Sequence, residues 1–161
     1  MAESKKIDRS PPIALFNLAE SYWQAARALH TANVRSTHSG SPIAFLQYHA
    51  IELYLKSFLR HHGHTIKELA SRKFGHKTCC LAERATKLGV EFDDEDNVVI
   101  SMMSTTDAVI RSRYIETGYF RWPSYEALDR TCVSMRDRFG KRLANDGVPV
   151  RLQRFPDASL D

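Results

Sequence analysis

The stretch PIAFLQYHAIELYLKSFLRHHG, Pro42 to Gly63, reads as one helix that is apolar on nearly every side. Ile43, Leu46, Ala50, Leu53, Tyr54 and Phe58 recur at helical spacing, and Phe45, Ile51, Leu55 and Leu59 fill the flanks. A helix apolar all round belongs at the centre of a bundle, not on its surface. Glu52 and Lys56 interrupt it. Burying either charge is costly unless the two pair, and the i,i+4 spacing with Glu nearer the N-terminus lets them do so.

Working outward, helical punctuation frames this centre on both sides. Ser10-Pro11-Pro12 is a helix start, a capping hydroxyl followed by rings already near helical φ. Leu15, Leu18, Ala19, Tyr22, Ala25, Ala26 and Leu29 then mark a first amphipathic helix to about His30. Thr31 to Gly40 is a polar connection, and Ser41-Pro42 repeats the start signal. Thr65 with Glu68 fits a capping box for a short helix from Ile66 to about Lys73. Cys80, Leu81, Ala85 and Leu88 make a further helix closed by Gly89, and Asp93 or Asp94 caps the next. Val99, Met102, Met103, Thr106, Ile110 and Tyr114 extend that helix to about Thr117. After an aromatic turn at Gly118 to Pro123, the last helix runs from Ser124 to Asn145 with Leu128, Met135, Phe139 and Leu143 inward.

The expected fold is all-α, an antiparallel up-and-down bundle of about five substantial helices joined by short links. Residues 1–9 read as a loose N-terminus, 10–147 as a single domain and 148–161 as an irregular tail. At 161 residues, 43% hydrophobic and 26% charged, the chain is long enough to bury one core without disulfides or metal. The formal charge of +4 is compatible with a nucleic-acid partner but does not demand one. Cys79, Cys80 and Cys132 are an odd set and a poor disulfide framework, which points to a reducing, cytoplasmic compartment. The N-terminus lacks the apolar run of a signal peptide, and the central helix carries too many polar residues to span a membrane.

The order of three elements resembles the HEPN superfamily of small helical bundles (higher eukaryotes and prokaryotes nucleotide-binding). They are Glu52-Leu-Tyr-Leu-Lys56, then Gly75-His76-Lys-Thr-Cys-Cys-Leu81, then Arg111-Ser-Arg113-Tyr114. The resemblance covers roughly residues 13–115. The acid that usually follows Gly-His is Lys77 here, and the Leu sits one place late. The resemblance implies a homodimer and one of three roles: a metal-independent RNase using an Arg-x4–6-His motif from both chains, a partner or substrate-binding module of a small nucleotidyltransferase in a toxin–antitoxin-like system, or a protein without assigned activity.

RNA cleavage without metal needs a His to move a proton and an Arg to stabilise charge on the phosphate. Neither Arg111 nor Arg113 has a His four to seven residues downstream, and no His follows His76. Arg60 with His64 and Arg72 with His76 are near misses with three residues between them. The standard RNase motif is therefore absent, and the preferred expectation is a non-catalytic domain that binds a nucleotide, an RNA or a protein partner. The rivals are an atypical metal-independent RNase, with His76, Arg113 and Arg111 as catalytic candidates, and an interaction protein without a nucleotide ligand. The candidate ligand surface is Arg111, Arg113, Tyr114, Tyr119, Arg121 and Trp122, where guanidiniums grip phosphates and rings stack on bases. Glu52 and Lys56 are included as a buried pair that either specifies the bundle or exchanges protons. His76 reads either as a packing histidine on a buried acid such as Glu52 or as a ligand. His61, His62 and His64 do not follow a zinc spacing, so neither metal nor cofactor is expected.

Overall fold

Helix α2, Gly40–His61, sits where an all-apolar helix must, with other helices against several of its faces. The computed structural model describes residues 9–115 and 121–151. Within them the remaining helices are α1 (Pro12–Ala32), α3 (Ile66–Leu69), α4 (Thr78–Lys87), α5 (Asp94–Thr105), α6 (Ala108–Arg111) and α7 (Tyr125–Asn145). With α2 counted, five of the seven helices run ten residues or more, and no strand occurs among the described residues, so the all-α bundle is the fold. From Gln47 to Leu59 every residue of α2 is buried except His49 and Lys56, which are half-buried. Helix α1 packs along most of α2, and α7, α4 and α6 cover the rest.

The helix ends follow the sequence in part. Thr65 and Glu68 make the reciprocal capping box, Thr65 Oγ1 accepting from the Glu68 amide and Glu68 from the Thr65 amide. Asp93 caps α5 through the Asp96 amide, and Ser124 caps α7 through the Ala127 amide. Gly89, at φ +94°, takes the left-handed turn after α4 that side chains resist. Ser10 and Ser41 do not cap. The proline rings set the start of α1 at Pro12 without a side-chain bond, and α2 begins earlier, at Gly40. Helix α3 ends at Leu69, short of Lys73.

Two departures matter for the site. The buried face of α1 is Phe16, Ala19, Glu20, Trp23 and Ala26, whereas Leu18 is 44% exposed and Ala25 is exposed. The helix is turned so that Glu20 meets buried partners. Tyr54 donates its hydroxyl to Glu20, and Arg136 Nε donates to the other oxygen at 2.9 Å, with its guanidinium over Trp23. The second departure is a break in the expected long helix. α5 ends at Thr105, and Asp107 takes a left-handed φ of +47° before the single turn of α6. Ser104, Thr105 and Thr106 each turn a hydroxyl back to the carbonyl four residues earlier, which weakens a helix and helps bend it. Beyond α7, Val148 and Val150 pack on the core.

Candidate functional site

One face of α2 carries Phe45, His49, Glu52 and Lys56, at i, i+4, i+7 and i+11, so they form a continuous stripe. Three distant segments close over it. Glu52 is 1% exposed, and its carboxylate accepts from Lys56 Nζ at 2.5 Å and meets His76 Nδ1 at 3.0 Å. The Gly-His segment between α3 and α4 delivers His76, whose side chain stays 40% exposed. Gly75, at φ +44°, makes that turn. The expected Glu52–Lys56 pair therefore forms and gains a third member, so His76 does rest on Glu52. The carboxylate is compensated twice, which makes its burial tolerable.

Farther up the stripe, His49 lies parallel to Phe45, with ring centroids 6.0 Å apart, and meets the edge of Tyr22 from α1 at 4.5 Å. The Arg113 guanidinium sits over the Phe45 ring, 5.5 Å from its centroid. Burial pushes the His49 imidazole below its ordinary value; Glu52 pulls it back up, and Lys56, Arg113 and His76 lower it further. His49 Nδ1 is buried and has no hydrogen-bond partner among the described residues. The sequence alone does not mark His49 and Phe45 as site residues. Their signal was the 45/49/52/56 stripe, which reads as core filler until the segments that face it are known.

Phe45 and Arg113 also line a surface groove of about 870 Å³. Its walls are the start of α2, with Tyr48 beneath, and the segment holding Arg111, Arg113 and Tyr114, together with Trp122. Tyr114 is 69% exposed and Trp122 37%, and Trp122 approaches buried Tyr48 at 6.0 Å between rings. Folding thus gathers Arg111, Arg113, Tyr114 and Trp122 around one groove, while Arg121 is exposed and does not line it. Tyr119 lies outside the described residues.

The other candidates point elsewhere. His61 Nε2 meets Asp146 Oδ2 at 2.7 Å, His62 Nδ1 lies 2.9 Å from the Phe58 carbonyl, and His64 accepts from Arg84 Nε at 3.0 Å. His61 and His64 thus join the end of α2 to α7 and α4, and His62 closes the last turn of α2 on itself. Arg60, one near-miss arginine, donates to the Ser10 and His64 carbonyls. The Cys79 and Cys80 thiols lie 3.8 Å apart at the start of α4, with burial pushing Cys80 up. The acidic run before α5 folds onto α7: Asp96, fully buried, accepts from Ser134 and Arg138, and Asp93 from Arg130. No group of three or more His, Cys, Asp or Glu suited to a metal occurs among the described residues, and no helix there is long and apolar enough to cross a membrane.

Comparison with known protein families, curated proteins and solved structures returns no match.

Proposed function

We propose that this chain is a HEPN-like, non-catalytic helical domain that binds single-stranded RNA or a nucleotide in the groove beside Phe45. The observation that carries this reading is the gathering of Arg111, Arg113, Tyr114 and Trp122 around that groove. Two guanidiniums supply phosphate contacts, and the two exposed rings supply stacking faces that accept any base. The family part of the reading is supported by the meeting of Glu52, Lys56 and His76 at one point, since these come from two of the three elements that carry the resemblance. A homodimer and a small nucleotidyltransferase partner belong to the same reading.

Fluorescence anisotropy with a labelled oligoribonucleotide tests it. Trp122→Ala is expected to weaken binding by about 1–3 kcal/mol, the usual worth of one stacked base. Arg113→Ala weakens it too. Wild-type affinity in both variants overturns the groove as the binding site.

One observation favours a second reading, an atypical metal-independent RNase. The Glu52 contact occupies His76 Nδ1 and leaves Nε2 for proton transfer, as a general base requires. RNA cleavage in EDTA, lost in both His76→Ala and Arg113→Ala, would establish that reading over the non-catalytic one.

A further inference from the structure

We propose that His49, Lys56 and Arg113 form an anion subsite that holds one phosphate of the ligand and takes up a proton at His49 as it binds. This deepens the groove reading and rests on it for the identity of the ligand, though not for the existence of the subsite. The stripe on α2 runs directly from the groove, because Phe45 belongs to both and Arg113, which also lines the groove, sits over its ring. Around His49 stand Glu52 and Lys56 on its own helix, Tyr22 from α1, His76 from the segment before α4, and Arg113 from the segment after α6. A single carboxylate therefore faces two fixed cations and two imidazoles, and that carboxylate is already engaged by Lys56 and His76. The place is one negative charge short of balance.

The imidazole records the same deficit. A buried ring nitrogen without a partner is tolerable as a bare lone pair; as an N–H⁺ it would need an acceptor that the described residues do not provide. Burial first, and then the surrounding cations, accordingly disfavour the protonated His49 imidazole. The sign follows: because its folded value lies below the ordinary 6.5, the unfolded chain binds the proton more readily, and stability falls as pH drops below that value. A phosphate at the open edge of the half-buried ring does not reach Nδ1, but it supplies the missing negative charge, so anion binding and protonation favour each other.

Sulfate is a suitable probe because it does not titrate between pH 5 and 8. The His49 ring protons are followed by NMR across that range, with sulfate and with chloride at equal ionic strength. Sulfate is expected to raise the His49 midpoint by about one unit, a tenfold shift in proton affinity. Lys56→Met and Arg113→Ala each reduce the rise, and His76→Gln leaves it in place. An unmoved His49 midpoint, or movement confined to His76, overturns the proposal. The same sulfate result with no oligoribonucleotide binding leaves the subsite standing and removes the groove reading.

Discussion

At the scale of single residues, Glu52 decides the most. It is the only carboxylate on the α2 stripe, it is 1% exposed, and it compensates Lys56, whose side chain is 14% exposed, together with His76. Replacing a buried ion pair with apolar side chains can be neutral, but removing one partner strands the other charge. Glu52→Ala is therefore expected to lose about 3 kcal/mol of unfolding free energy by denaturant titration. The double variant Glu52→Leu/Lys56→Met should recover most of that loss, because it removes both charges. If the single variant keeps wild-type stability, Lys56 and His76 do not depend on the carboxylate for compensation. Recovery in the double variant would also mean that the pair is kept for something other than stability, in line with its place beside the groove.

At the scale of elements, the break between α5 and α6 positions the groove, because it swings Arg111, Arg113 and Tyr114 onto the start of α2. The stability order at Asp107 tests the break. At φ +47°, glycine is free of the Cβ clash, so Asp107→Gly should be more stable than Asp107→Ala by about 1 kcal/mol in thermal melts. A continuous helix gives the opposite order by a similar amount. This break could not be read from the sequence, because Ser104, Thr105 and Thr106 look like an ordinary polar face; only their back-bonded hydroxyls mark a weak point. The centre was legible for the opposite reason. So much of α2 is apolar that burial was its only stable place, and the spacing of Glu52 and Lys56 announced their pair. The predicted α1 stripe lies one residue out of phase with the buried face, because a glutamate gives no sign of burial in the sequence and the partners of Glu20, Tyr54 and Arg136, lie far along the chain. The site divides in the same way: Arg111, Arg113, Tyr114 and Trp122 were readable as a local cluster, whereas His49 and Phe45 gained meaning only from segments that fold over them.

At the scale of the whole molecule, charge separates a local site from a diffuse one. The net charge of +4 is modest, and part of the arginine excess of the C-terminal half is spent inside the fold. Arg138 and Arg130 neutralise the α5 acids, and Arg136 neutralises Glu20. Long-range attraction of RNA should therefore be weak, and the salt dependence of binding should count contacts at the groove and its subsite. With Arg111, Arg113 and Lys56 each meeting a phosphate, the slope of log K against log salt for single-stranded RNA is expected near −2, at about 0.7 per contact. Arg113→Ala should flatten it by about 0.7, and charge removal on α7, for example Arg142→Gln, should leave it unchanged. A slope of about −4 or steeper, or one that Arg142→Gln reduces as much as Arg113→Ala, would mean that the chain binds RNA through its dispersed basic surface. In that case the groove would not be the determinant of affinity, whatever its shape suggests.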